Sequence, residues 1–541
     1  MEVRAAFAFA LALFLSMILV PVVIRLAAPI GLTDKGGARK IHAGEMPRTG
    51  GAAIFIGYLV PVLLWVSGRP ELSVLILSSV VLFVFGLLDD RFNLDYRLKL
   101  LGQVIAALIL TVVGGVVIEH VPYVPGGALP EPIAIAFTVF VLVGVTNAVN
   151  LSDGLDGLAG GISILAIGCL LLLAILAGDW SVGIIALAVV GATLGFLRFN
   201  THPARLFMGD SGSQFLGFVT GALAIIVTQR SDPGLSPVLL LLILGLPILD
   251  TLTVMVGRLS RGQSPFAADR THLHHRLLAS GLAQYEAVSL IYAMQFLLVV
   301  LAYLMRYSFD GAILLTYVSW CALMLLGLGK LERRPRNLHG HGVHATLLGR
   351  LISKVRASKM MTRVPSRVLR LGLPVFLVIG ALAALPPPVD VGLLSVALLV
   401  ASGLAVLTIP RSFVFVERLS AYTAAVGVVY LLEQTDWLMD ACAPCLRSVY
   451  VGFAVVTAVW VRFSSERFTV SSLDVLILFA VLVAPSLQDL GLGGLGLVLL
   501  ESVVLFYGIE LLMQERERSW DVLRIGVLLT LAVLAARGIL S

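Results

Sequence analysis

The stretch LSVLILSSVVLFVFGLLDDRFNLDYRLK, residues 72–99, decides the fold. From Leu72 to Leu88 it carries no charge and is about long enough, at ~17 residues, to cross the hydrocarbon core of a bilayer as a helix. At Asp89 it turns polar at once: Asp89, Asp90 and Arg91 are followed by Asn93, Asp95, Arg97 and Lys99 before the next apolar run. Comparable runs recur along the whole chain, among them Ala5–Ile24, Ile162–Ala177, Ala287–Met305 and Val522–Ala535. Counted by length they predict roughly eighteen spans. The 541 residues are 59% hydrophobic and 13% charged, with a mean hydropathy of +1.01. A chain of this composition has lipid as its main solvent, and only helices or closed barrels satisfy their backbone there. The expected fold is therefore all-α: a polytopic membrane helical bundle. The first run has no small-residue cleavage site and is followed by many like it, so it reads as a retained span.

The formal net charge of +6 does not point to nucleic acid, because the basic residues are interleaved with apolar spans and sort onto alternate loops. Loops Thr33–Arg48, Arg91–Lys99, Arg258–Arg276, Lys330–Arg370, Arg411–Arg418 and Arg462–Arg467 are basic, while Glu119–Glu131 and Pro386–Asp390, among others between them, are not. Such a bias places the basic loops in the cytoplasm and the chain in a cell's inner, cytoplasmic membrane. Residues 330–370 carry many Lys and Arg against the single acid Glu332, plus His339, His341 and His344, and read as a cytoplasmic linker on anionic headgroups. They separate a membrane domain of about eleven helices, residues 1–330, from a C-terminal membrane extension, 371–541, that carries no motif tied to chemistry. Cys169 and Cys321 lie in apolar runs as small hydrophobes. Cys442 and Cys445 form a Cys-Ala-Pro-Cys element expected in an outer loop, where an oxidising compartment would close it.

Five polar clusters fall on the predicted cytoplasmic side. Adjacent carboxylates at a membrane boundary, as at Asp89-Asp90, are costly unless paired, hydrated or liganding a cation, and Mg²⁺ takes one or two carboxylates together with substrate phosphate oxygens. Asn147, Asn150, Asp153 and Asp156 lie in a Gly-rich junction, over-equipped for a mere turn. Gly209, Asp210 and Ser213 open a predicted helix, whose free N–H groups suit a phosphate and metal corner. His272, His274, His275 and Arg276 lack a Cys or Glu partner, which favours anion contacts over zinc. Arg48, with Lys35, Arg39, Lys40, His42 and Gly50-Gly51, forms a basic loop before the second span. Five unrelated helix caps would not need to share one side.

In this order the motifs resemble the polyprenyl-phosphate N-acetylhexosamine-1-phosphate transferase superfamily: Asp-Asp at 89–90, Asn-x-x-Asn-x-x-Asp-Gly-x-Asp-Gly-Leu at 147–158, Gly-Asp-x-Gly-Ser at 209–213 and His-x-His-His at 272–275. The resemblance covers about residues 5–330. It implies a cytoplasmic catalytic cleft and Mg²⁺, with Mn²⁺ as a substitute, held chiefly by Asp210 with Asp89 or Asp90. It also implies nucleotide contacts around Asn150, Asp153 and Asp156, and phosphate contacts from Lys99 and the His element. Pro-Phe-x-x-Asp-Arg before the His element is similar to the branch using UDP-GlcNAc or a related N-acetylhexosamine. The branch that makes the first lipid intermediate of peptidoglycan, with phospho-MurNAc-pentapeptide, shows a His-His-His element followed by an acid, which is not found here.

The expected reaction transfers GlcNAc-1-phosphate from a UDP-sugar to undecaprenyl or another polyprenyl phosphate, giving polyprenyl-diphospho-sugar and UMP. It would initiate a cell-envelope glycan such as O-antigen. Asp89 is expected to orient or deprotonate the lipid phosphate. The lipid bilayer is the setting, no nucleic acid is expected, and a homodimer is left open. The rival reading, a lipid-linked sugar transporter or flippase, wants polar groups near the bilayer midplane rather than at helix ends.

Overall fold

A computed structural model describes every residue except 1, 35–44, 67, 123–127, 265–270, 334–359, 409–412, 464–492, 515–519 and 541. The described residues form two compact units that divide at about residue 338, and each is helical. Across both, 12 helices are long and apolar enough to span a membrane, and two shorter apolar helices add to them. This is fewer than the roughly eighteen spans expected. Some apolar sequence lies in residues 464–492, outside the described residues, and the run Leu239–Leu259 is broken at Leu244 into two short helices.

The first unit winds up and down. Its helices are α1 (Glu2–Ala27), α2 (Gly50–Trp65), α3 (Pro70–Phe92), α4 (Tyr96–Leu108), α5 (Glu131–Leu151), α6 (Leu158–Leu176), α7 (Trp180–Asn200), α8 (Gly209–Ile226), the broken pair α9 (Leu239–Ile243) and α10 (Gly245–Leu259), the short α11 (Leu273–Ala279), α12 (Gln284–Leu304) and α13 (Asp310–Arg333). A π-helical turn extends α4 to Val113 and α8 to Ser231. A two-residue antiparallel pairing, Thr33–Asp34 with Met46–Pro47, pins the basic loop ahead of α2. The rest of that loop, with Lys35, Arg39, Lys40 and His42, lies outside the described residues, as does Pro265–Arg270.

The centre of the unit is α8, buried from Ser211 through Ile226. Close approach of its neighbours rests on glycine. A Cβ on Gly51 would stand 2.3 Å from the Gly212 nitrogen, and one on Gly86 2.5 Å from the Ser211 Cα. Small residues let helix backbones touch in lipid, where no hydrophobic drive holds them together. These contacts bring the last turn of α3, with Asp89 and Asp90, against the first turn of α8.

The second unit contains helices Met360–Ala383, Val389–Thr408, Phe413–Glu433, Asp436–Phe463, Gly493–Gln514 and Trp520–Leu540. Leu369, Leu373, Leu377, Val428, Leu505 and Ile509 fill its core. Arg418 reaches Glu510 at 2.8 Å, and Arg524 reaches Glu417 at 2.8 Å. The Cys-Ala-Pro-Cys element is not a loop. It lies inside helix Asp436–Phe463, at a break of helical geometry at Cys442, and both thiols are free. Pro444, two residues after Cys442, explains the break: its ring removes a donor and crowds the preceding turn.

Candidate active site

Two of the predicted aspartates, Asp90 and Asp156, and a third, Asp250, are engaged by backbone N–H groups. Asp90 is buried, and both its oxygens face the N-terminus of α8: Oδ1 accepts from the Asp210 N–H at 2.7 Å, and Oδ2 from the Ser211 N–H at 3.0 Å and the Ser211 hydroxyl at 2.6 Å. A carboxylate satisfies orphan donors and complements the helix dipole there. Gly209 makes the fit with φ +76°, and a Cβ on it would stand 2.7 Å from both Asp90 oxygens. Asp156, expected on the nucleotide side, instead accepts from the Ala204 N–H at 3.2 Å and pairs with His202 Nδ1 at 2.8 Å. It fastens the α7–α8 loop, helped by Asn200, whose Oδ1 accepts from the Gly157 N–H at 2.9 Å. Asp250, which the sequence reading missed, accepts from the Leu273 N–H at 2.7 Å and contacts His272 Nδ1 at 2.9 Å, capping α11. A carboxylate inside the apolar run of α10 was its signal.

What remains is an ionic cluster at one end of the bundle. Lys99 Nζ lies 3.0 Å from Asp89 Oδ2 and also donates to Asp210 Oδ1. Asp89 Oδ1 accepts from the Leu94 N–H at 2.9 Å. Asn150 Nδ2 donates to Asp210 Oδ1 and to Ser213 Oγ, each at 2.7 Å, and Ser213 Oγ donates to the Gly209 carbonyl at 3.0 Å. Lys99 and Asn150 both donate to Asp210 Oδ1. Its Oδ2 makes no hydrogen bond among the described residues, and neither does the carboxylate of the partly buried Asp153. Burial first, then the like charges of Asp210, Asp90 and Asp156, push the Asp153 carboxyl up to about 7, against the opposing pull of Arg48. Arg48 itself is shared with Asp34, at 2.9 Å. Asp89 and Asp210 thus share one lysine, while Asp90 and Asp153 stand beside Asp210 with only part of one arginine to offset them.

Asn147 does not join this cluster. Its amide turns to Gln103 at 2.6 Å, one layer below. The His element approaches from the side. His274 packs on Gly154, where a Cβ would stand 2.2 Å from Nε2, so the Asp-Gly and His motifs touch. Burial, with the charge of His275 next, holds His274 down at about 4, against a smaller pull from Asp250. It is a neutral ring at pH 7, not a fixed cation for phosphate. His275 and Arg276 line a neighbouring open cavity of about 540 Å³, with Arg261, Thr271, Ser280 and Glu332. Arg276 Nε there donates to Glu332 at 2.7 Å.

Among the described residues no three His, Cys, Asp or Glu side chains are grouped to enclose a metal ion. Asp153 and the outer oxygen of Asp210 are nonetheless hard, unsaturated donors. Such a pair suits Mg²⁺, which binds one or two carboxylates and completes its shell with water and substrate phosphate.

A model of glycosyl transferase family 4 matches residues 72–228, the interval that holds the ionic cluster. The chain is 36% identical over 328 residues, 60% of its length and 88% of the relative's, to a probable undecaprenyl-phosphate N-acetylglucosaminyl 1-phosphate transferase of Bacillus subtilis. It is 30% identical over 290 residues to the undecaprenyl-phosphate alpha-N-acetylglucosaminyl 1-phosphate transferase of Escherichia coli K12, covering 52% of this chain and 79% of that protein. The enzyme of the same name from Yersinia pestis matches at 29% over 282 residues, 51% and 77% of the two chains.

Proposed function

The chain belongs to glycosyl transferase family 4, and on that premise we propose that its first unit transfers GlcNAc-1-phosphate from UDP-GlcNAc to undecaprenyl phosphate, releasing UMP. The observation that carries the reading is the convergence of Lys99, Asn150 and the Asp89 and Asp210 carboxylates at one end of the bundle, with Asp153 beside them. Two phosphorylated substrates meeting there face one anchored ammonium and carboxylates able to hold a divalent cation between them.

In this mechanism a phosphate oxygen of the lipid attacks the sugar-proximal phosphorus of the UDP-sugar. The new P–O bond forms as the bond to the UMP oxygen breaks, and UMP departs with that oxygen. Asp89, braced by Lys99 and the Leu94 amide, is placed to orient the lipid phosphate and to take its proton if it arrives protonated. Lys99 adds positive charge beside the transferring group, and Asn150 fixes the Asp210 carboxylate. Asp210 and Asp153 would hold Mg²⁺, or Mn²⁺ in its place, which supplies neutralisation of the diphosphate and of the departing UMP. Asp90 acts through Asp210, by fixing the turn that presents it. The basic loops beside this end support a position on the cytoplasmic side of an inner membrane.

The test is UMP release by purified protein given undecaprenyl phosphate and UDP-GlcNAc. It should require Mg²⁺, stop with EDTA and fall by about 10³-fold in Asp210→Asn. Near-parental turnover in that variant would remove Asp210 from the chemistry.

A further inference from the structure

Under the ionic cluster lies an uncharged layer that the reaction itself does not touch. Gln103 follows Lys99 by four residues on α4, Gln214 follows Asp210 by four on α8, and Asn147 precedes Asn150 by three on α5. Spacings of three and four place each amide on the helix face of its reactive neighbour, one turn or about 5.4 Å deeper into the bundle. Gln103 bridges the other two, while Gln214 Nε2 has no partner among the described residues. Asn147 Nδ2 donates to Gln103 Oε1 at 2.6 Å, and Gln103 Nε2 donates to Asn147 Oδ1 at 3.3 Å and to Gln214 Oε1 at 3.0 Å. Asn147 Nδ2 also donates to the Val143 carbonyl at 2.8 Å. Gln103 and Gln214 are each 1% exposed.

An amide without a partner in such an interior costs a few kcal/mol, so the three helices are held to the rotations that keep the bonds made. Leucines in these places would pack about as well but would tolerate rotation. The layer above does not: Lys99 hangs on a flexible four-carbon stem, and the carboxylates around it repel one another.

We propose that Gln103, Asn147 and Gln214 are positioning residues for the transfer, fixing the rotation of α4, α5 and α8 so that Lys99 Nζ and Asn150 Nδ2 meet on Asp210. The proposal rests on the transferase reading of the same site and adds the device that keeps that site assembled.

Gln103→Leu and the triple variant Gln103→Leu/Asn147→Leu/Gln214→Leu separate positioning from plain stability. The single variant strands its partners' polar atoms, and kcat for UMP release should fall about 10- to 100-fold with little change in KM for either substrate. The triple variant leaves no stranded amide, so its thermal midpoint should return towards the parent's while kcat stays low. A kcat that recovers together with stability in the triple variant, or that is parental in Gln103→Leu, overturns the proposal. A parent that releases no UMP overturns the transferase reading, and the positioning role falls with it.

Discussion

The two ends of α8 treat carboxylates in opposite ways. At the far end, where the π-helical turn closes at Ser231, Asp179 receives both short contacts of Arg69 Nη1, at 2.7 Å each, the Ser231 hydroxyl at 2.7 Å and the Val182 N–H at 3.2 Å. Burial alone would raise its pKa, but Arg69, Ser231 and Val182 outweigh it and hold the group below the usual carboxylate range. At the near end, some 30 Å away by helix rise, Asp153 has no such partner, and burial with three neighbouring carboxylates raises it to about 7. One end is an ion-pair clamp that is complete within the chain. The other is electrostatically unfinished, and a site left short of positive charge is one that a cation and basic groups around a diphosphate would complete.

The contrast is broken most directly by exchanging the fates of its two carboxylates. Asp153→Asn should reduce UMP release by about 10²-fold or more while raising the thermal midpoint at pH 8. The sign follows from linkage. A carboxyl whose pKa is raised on folding contributes stability below its unfolded value near 4, and that contribution is lost as pH rises through about 7. The amide has no charge to bury at pH 8. Asp179→Asn should do the reverse: its lowered pKa stabilises the fold at neutral pH, so the variant should lose about 1–3 kcal/mol there and keep parental kcat at a permissive temperature. Differential scanning fluorimetry beside the UMP assay reads both. If the two variants behave alike, the ends do not differ in kind.

A smaller effect sharpens the comparison within the near end. Asp90 stands beside Asp89 in sequence but caps α8, so Asp90→Ala should cost about 1–2 kcal/mol of stability, as a lost cap does. Its activity should fall less than that of Asp210→Asn, because the Asp210 carboxylate is shifted and not removed. Equal losses in the two variants would make Asp90 a reacting group.

That pair also shows how far the sequence could be read. The apolar runs and basic loops predict the all-α membrane architecture, because the bilayer leaves few other ways to bond a backbone. The motifs name the right neighbourhoods, since Asp89, Lys99, Asn150, Asp153 and Asp210 do come together. What a motif cannot carry is which way a side chain faces. Asp90 and Asp156 look as reactive in sequence as Asp89 and Asp153, yet each is used up by backbone N–H groups far along the chain, at 210–211 and 204. Gln103, Gln214 and Asp250 belong to none of the motifs, and only the packing of α4, α5, α8 and α10 gives them partners. The break at Leu244 has a sequence cause: Pro247 has no N–H for the Ile243 carbonyl, which accepts from Gln295 Nε2 at 2.7 Å instead.

The smallest expected effect concerns pH and ties the His element to the same contrast. His274 is pushed towards its neutral form by burial on Gly154 and by His275, as Asp153 is by burial and its carboxylate neighbours. In both, the fold disfavours the charged form, whereas Arg69 and Asp179 are held charged. A folded pKa of about 4 against 6.5 for the free side chain means that the unfolded chain binds more protons between those values. Stability should therefore fall as pH drops from about 6.5 towards 4 and be flat in this respect above 7. In His274→Gln that part of the slope should vanish, so the thermal midpoint should drop less between pH 7.5 and 4.5 than the parent's. Equal drops would mean that His274 takes its proton without resistance, and that the near end holds it as a cation after all.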